Sequence, residues 1–451
     1  MAGHCSAACA AFWTPNWVGD PWRSVDEAED SDANCITEWT DPMRVGSLEF
    51  LTITDSEGFR SLRAEWVSLC ARSNRSHLFS SFDWWLNAWL FYAEPLGQKL
   101  RLVTGRQDGR LLLIWPLVTD RRVLRMLSTG TFEYRDVIVE PSAFAGQWVR
   151  QAWSYVQSSV DADVFILQNL RMPNALAAEL KQQPAATAIG GGWCPLIRLD
   201  RFANWDAYAA TLPKSLIADQ RRQWKRISRD MPGISFQMID SEVELERVME
   251  WVRRHKIAWA EARQLFPGWC VTVRKWENLR RAALAALAER RLITVALRDG
   301  DRIVSAGWGF VCGEEYLFYA FAYDAAHSTY SPSRLLLERL VQTCFDRGIR
   351  SLDFMPGEQP FKRTWATDYV PTESYVGPLN WRGACLLRLA KTKPLLGSVA
   401  ETVRPLYRRL PRPARDKLRH VFGMLLTVTD ARALKPPAPP PTRVTPAPDG
   451  S

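Results

Sequence analysis

The chain is 451 residues long, more than one ordinary domain needs, with 47% hydrophobic and 24% charged residues and a formal charge of +9. Those are globular proportions. Eleven Lys/Arg stand against three Asp/Glu between Arg388 and Leu434, a net +8, so the remainder is close to neutral; this argues for a basic appendage and against a protein-wide nucleic-acid surface.

No stretch reaches the roughly 18 apolar residues of a membrane span. The opening "MAGHCSAACAAFW" lacks a basic segment, so no secretory signal is expected. The nine cysteines form no C-x-x-C pair, and His4, Cys5 and Cys9 lack a second ligand pair. Reduced thiols, a cytoplasmic location and no metal are therefore expected. The 21 tryptophans are read chiefly as core filler.

Residues 1–45 read as a disordered leader, with three prolines and the acidic run "DEAEDSD". After them the chain repeats itself. The helical stretch "FDWWLNAWLFYAE" precedes a hairpin over Lys99–Thr119 that turns at Asp108–Gly109. The strand "DVIVEP", a helix around Phe144–Ser159 and the strand "ADVFILQNL" follow. "KSLIADQRRQWKRISRD" (Lys214–Asp230) is a basic helix, read as a solvated face with a clamp for anions as the alternative. The helix "VRKWENLRRAALAALAERR" precedes a second hairpin, Arg291–Val311, with its turn at Asp299–Gly300. The strand "EYLFYAFAYD", the helix "SPSRLLLERLVQTCFDRG" and the strand "IRSLDFM" complete the second round. The fold class is therefore α/β, in two tandem domains over 46–200 and 201–385. A basic amphipathic appendage (386–434) and a proline-rich disordered tail (435–451) close the chain. Within the appendage, 401–428 pairs an apolar side with Arg and Lys. It is read as a surface helix packed on the second domain, or as a peripheral membrane contact.

The chemistry concentrates in the second domain. Ser331 suits an N-cap and Pro332 the first helical position. That helix start, with Arg334 in its first turn, offers free N–H groups to a phosphate. Beyond the next strand comes "DFMPGEQPFKRTWATDY". Asp353 stands near a strand end, where α/β sheets place their sites. Glu358 and Lys362 are spaced either for a helical ion pair or for a base and a substrate-orienting cation. His255 and Trp259 share a helix face, and His255 is read as structural or functional. His327, Tyr323 and Tyr330 are further polar candidates in and beside the loop before that helix start.

The stretches "HKIAWAEARQLF" (His255–Phe266), "YAFAYDAAHSTYSPSRLLL" (Tyr319–Leu337) and "DFMPGEQPFKRTWA" (Asp353–Ala366) resemble the GNAT acyltransferase superfamily. With "SSFDWWLNAW" and "TGTFEYRDVIVEP" in the first half, residues 46–390 are similar to its CelD-like branch, tandem GNAT proteins linked to bacterial polysaccharide production. The resemblance implies acetyl-CoA or another acyl-CoA as donor and an amine, hydroxyl or saccharide acceptor. It implies direct attack on the thioester, with catalysis by Glu358, Asp353, Lys362 and His255. Donor contacts would come from Tyr319, Phe321, Tyr323, Ser331, Ser333, Arg334 and Leu335. The Q/R-x-x-G-x-G/A phosphate loop of ordinary GNAT enzymes is absent, and Ser333 stands where the branch often has glycine. The alternatives are a Fem-like aminoacyl-tRNA-dependent transferase and a non-catalytic polysaccharide-assembly factor.

Overall fold

The computed structural model describes residues 47–391, apart from 74–77, 129–133, 265–269, 271 and 358. The leader, Glu358, the segment 401–428 and the proline-rich tail therefore lie outside the described residues.

The strands are β1 Glu49–Ile53, β2 Lys99–Leu100, β3 Leu102–Gln107, β4 Arg110–Trp115, β5 Leu117–Asp120, β6 Val123–Met126, β7 Ile138–Val139, β8 Val164–Arg171, β9 Thr187–Arg198, β10 Ile234–Ile239, β11 Leu292–Asp299, β12 Arg302–Cys312, β13 Glu315–Tyr323, β14 Ser351–Asp353 and β15 Asp368–Pro378. Both hairpins form. In the first, Gln107 faces Arg110 across Asp108 and Gly109, whose φ values of 50° and 76° fit the twist-matched two-residue turn. In the second, Asp299 faces Arg302, so the turn is Gly300–Asp301, one residue later than expected. Gly300 takes the left-handed position (φ 56°) that a β-carbon would strain. The first hairpin is also divided: β3 and β4 join a four-stranded sheet, while β2 and β5 lie in the large one.

The large sheet runs β10-β11-β12-β13-β14-β9-β15-β8-β6-β5-β2. Two of its neighbouring pairs are parallel, β13–β14 and β6–β8. Each is joined through a fifteen-residue helix, Pro332–Asp346 in the second half and Ala145–Ser159 in the first. This is the repeat that the sequence announces. Between the two pairs the halves exchange strands. β9 of the first half pairs with β14, and β15 of the second pairs with β8 and β9. Neither half completes its sheet alone. Gly191 permits the close crossing, since a β-carbon there would lie 1.9 Å from the Thr372 carbonyl oxygen.

The helices Glu242–Glu261 and Val273–Ala288 share a core with first-half residues that include Phe79, Trp84 and Tyr134. Trp84 meets Phe310 edge-on at 6.5 Å. The helix Pro332–Asp346 packs in a separate core with Tyr316, Phe318 and Phe321 of β13. Among the described residues seven tryptophans, including Trp84, Trp153, Trp308 and Trp365, are essentially inaccessible, as core filler should be. Among the described residues no cluster of three metal-ligating side chains occurs, and no helix is long and apolar enough to cross a membrane.

Candidate functional site

The β13–β14 ladder lasts three residue pairs, Glu315–Ser351, Tyr316–Leu352 and Leu317–Asp353. β13 then runs on to Tyr323 with β12 on one side only. The two parallel strands part, and one edge of Phe318–Tyr323 is left without a strand partner. A bulge between Trp308 and Gly309 of β12 adds a kink here, with Ala320 and Phe318 as the flanking partners.

Asp353, the last paired residue of β14, is fully buried. It accepts hydrogen bonds from Tyr134 Oη (2.7 Å) and from the Met355 N–H (2.6 Å). Arg171 Nη2 lies 3.0 Å away. The same guanidinium holds Glu315 at 2.8 Å through both Nη atoms. Burial drives the Asp353 carboxyl upward; Arg171 opposes this, Glu315 reinforces it, and the result is about 6. Burial also works against the Arg171 charge, but the two carboxylates outweigh it and hold Arg171 firmly cationic. The partners respond differently because Arg171 has two anions and Asp353 has one cation and a neighbouring anion.

Beyond Asp353 the chain turns sharply, with Met355 in the left-handed region at φ 60°. Asp353 fixes this turn through the Met355 N–H. Lys362 fixes it from the other side, donating to the carbonyls of Met355 (3.2 Å) and Pro356 (3.3 Å). Lys362 is 6% exposed, on the short helix Pro360–Trp365. Burial lowers its pKa to about 8, with Asp353 opposing and Lys256 assisting the shift. The helix that carries Lys362 starts at Pro360, and Glu358, the expected partner of Lys362, lies outside the described residues. An ammonium has three donors, so Lys362 retains one N–H beyond its two carbonyls.

His255 stacks on Trp251 at 3.8 Å, and its Nδ1 lies 2.8 Å from the Trp251 carbonyl. A carbonyl only accepts, so Nδ1 carries a hydrogen, and in the neutral imidazole Nε2 is then the one with the lone pair. The helix that bears it packs on the Tyr134 side of the sheet. Lys256, the next residue, is half-buried and its charge is disfavoured by burial. No described contact joins His255 to Asp353 or Lys362.

The helix start at Ser331 departs from expectation. Ser331 sits at the N-cap position in the left-handed region (φ 52°) and its side chain does not cap. The N–H groups of Arg334 and Leu335 already bond the Ser331 carbonyl, and Pro332 has none to give. Among the described residues the Ser333 N–H is the one donor of that first turn with no recorded acceptor. Arg334 is taken by Asp219 of the basic helix Lys214–Asp230. That helix is therefore not simply a solvated face. Its Arg226 lies over the Tyr330 ring at 5.1 Å, and its Trp224 donates to Glu338.

The other donor candidates scatter. The Leu335 side chain is wholly buried. Phe321 stacks on Phe318 at 3.9 Å, while Tyr319 meets Phe310 at 5.4 Å in the core on the opposite face. Tyr323 pairs with Ser305 at the end of β13. His327 is buried, with Nδ1 3.2 Å from Asp324 Oδ2 but without hydrogen-bond alignment. Sequence reasoning missed Tyr134, Arg171 and Glu315. Tyr134 lies inside the quoted "TGTFEYRDVIVEP", but its partner is 219 residues away.

A mixed sheet with a doubled, parting parallel pair defines a tandem GNAT-like α/β fold. Residues 214–363, about a third of the chain, match the family profile described as an acetyltransferase (GNAT) domain. No curated protein matches the sequence. Among solved structures the chain is similar to FemX, at 10% identity over 73% of this chain and 96% of that one, with a TM-score of 0.51. It is also similar to a tandem GNAT protein from the clavulanic acid biosynthesis pathway (12%, 74% and 99%, TM-score 0.41). A GCN5-related N-acetyltransferase from Sphaerobacter thermophilus follows (14%, 73% and 96%, TM-score 0.34). At such identities the likeness shows fold alone, and FemX is the one of the three that carries it.

Proposed function

We propose that this chain is an acyltransferase that takes its acyl group from acyl-CoA, with the thioester arm entering where β13 and β14 part. The observation that carries the reading is that parting. It lies inside the segment that matches the GNAT domain, and it leaves Phe318–Tyr323 with an unpaired backbone edge for the amides of a pantetheine arm. Acetyl-CoA is the simplest donor. The acceptor, an amine or hydroxyl, approaches from the His255 side, with His255 Nε2 or Glu358 taking its proton. The spare N–H of Lys362 faces the oxygen that gains charge as the acceptor attacks. Asp353 does not take the proton itself: wholly buried and bonded to Tyr134 and Met355, it shapes the loop that presents Lys362. Residues 46–200 and 201–385 act as two tandem domains that complete one sheet.

Calorimetric titration with acetyl-CoA and longer acyl-CoAs tests this. A dissociation constant below about 1 mM is expected for at least one of them; no binding to any would overturn the reading. A Fem-like aminoacyl-tRNA-dependent transferase is the second reading. It is favoured by the similarity to FemX and by the helix start at Ser331, where the first-turn donors are largely spent. Binding of a charged tRNA, with no acyl-CoA bound, would select it.

A further inference from the structure

The point where β13 and β14 part is ringed by phenylalanines. Phe318 follows Leu317 and Phe354 follows Asp353, so each is the first residue beyond the last pair of the ladder. Phe361 precedes Lys362 on the helix Pro360–Trp365. The three rings meet: Phe318 and Phe354 at 5.4 Å, Phe354 and Phe361 edge-on at 6.0 Å, Phe318 and Phe361 at 6.3 Å. Phe321 joins them, stacked on Phe318 at 3.9 Å with the ring planes 8° apart. Strand alternation alone does not gather these side chains, because residues 318 and 321 belong on opposite faces. The bulge brings them together. Phe318 faces Gly309 and Ala320 faces Trp308, so Tyr319 is an extra residue in β13 and resets the alternation. Phe318 and Phe321 therefore both join the core of the helix Pro332–Asp346, while Tyr319 and Ala320 share the opposite one. Gly307 makes room for the stack, since a β-carbon there would stand 2.4 Å from the Phe321 ring.

Phe354 is buried and Phe318 and Phe321 are half-buried, but Phe361 is 41% exposed. The open part of that ring forgoes the stabilisation that burial brings. It adjoins Lys362, which the proposed function sets against the reacting carbonyl. A pantetheine arm laid along the open edge of β13 ends at the Leu317–Asp353 pair, so the acyl group at its tip meets phenyl surface. The methyl of an acetyl group covers little of such a surface; a chain of several methylenes, or an aromatic acyl group, covers more. We infer that Phe318, Phe354 and Phe361 form the surface that recognises the acyl group, and that the donor carries an apolar acyl group longer than acetyl, aliphatic or aromatic. This rests on the acyl-CoA reading and narrows it to a class of donor.

The test is calorimetric titration of the full chain with coenzyme A, acetyl-CoA, octanoyl-CoA and benzoyl-CoA. The wild type is compared with Phe361→Ser, Phe361→Leu and a surface control, Arg222→Gln on the basic helix. In the wild type octanoyl-CoA or benzoyl-CoA should bind about tenfold more tightly than acetyl-CoA, or better, the gain from burying about two methylene groups. Which of the two gains tells an aliphatic from an aromatic acyl group. Phe361→Ser should lose most of that gain with little change in Tm, because the ring is already part-exposed. Phe361→Leu, which keeps an apolar surface, and Arg222→Gln should retain it. If neither longer acyl-CoA binds more tightly than acetyl-CoA, or if the gain persists in Phe361→Ser, the inference falls and the acyl-CoA reading stands. If coenzyme A and all three of its thioesters fail to bind, that reading falls and takes the inference with it.

Discussion

Arg171→Met should destabilise the fold by about 3–5 kcal/mol, the usual cost of removing one partner from a buried ionic cluster. Arg171 and Glu315 are only 22% and 19% exposed, and Asp353 is not exposed at all, so water cannot take over the lost role. Without the guanidinium, Asp353 and Glu315 face each other as buried anions, and burial already pushes Asp353 up to about 6. Its pKa must then rise further. The sign of the pH effect follows. A carboxyl whose folded pKa lies above its unfolded value favours the fold at low pH, and that contribution disappears as pH rises through the folded pKa. In the wild type the window is roughly 4 to 6; in Arg171→Met it extends upward. The variant's deficit should therefore be larger at pH 7.5 than at pH 5. Urea denaturation at the two pH values reads this directly. Equal midpoints for variant and wild type at pH 7.5 would mean that the cluster does not hold the halves together.

Lys362→Met should lower acyl transfer by a factor of about 100 to 1,000, the typical loss when one preorganised donor to a developing oxyanion is removed. The fold should survive better than in Arg171→Met, because the change leaves two neutral carbonyls without a donor rather than two carboxylates without their cation. Burial lowers Lys362 to about 8, so its ammonium is present at neutral pH and lost soon above it. As a carboxylate Asp353 accepts the Tyr134 and Met355 hydrogens and faces the Arg171 charge, and it loses its own charge below about 6. Transfer should thus rise through about pH 6 and fall through about pH 8. In Lys362→Met the falling limb should vanish with the activity that remains. A wild-type profile that instead rises through pH 8 would make neutral Lys362 a base and contradict the cationic role. For stability the lysine works in the opposite window. Its depressed pKa favours the fold above about 10.5, and this contribution is lost as pH falls through 8.

Much of this architecture is written locally. The Asp108–Gly109 turn, the aromatic alternation of β13 and the apolar face of the helix Pro332–Asp346 each follow from a few neighbouring residues. The exchange of β9 and β15 does not. "AIGGGWCPLIR" and "DYVPTESYVGP" carry glycine and proline where a strand reading is weakest, and their partners lie some 180 positions away. The site divides the same way. Asp353 and Lys362 stand out by their place after a strand. Tyr134 and Arg171, which set the state of Asp353, come from the other half and look like an ordinary loop tyrosine and an ordinary strand-end arginine. The Ser331 helix start shows the converse: the right residue types stand in sequence, yet the donors are spent on one carbonyl and Arg334 on Asp219.

Hydrogen exchange of the β13 amides, with and without coenzyme A, puts the central claim to the most direct test. If the donor arm lies along the open edge of β13, amides within Phe318–Tyr323 should gain protection when coenzyme A is added, while those of β6 and β8 stay unchanged. Coenzyme A that binds and protects other segments but leaves Phe318–Tyr323 as it was would contradict the account.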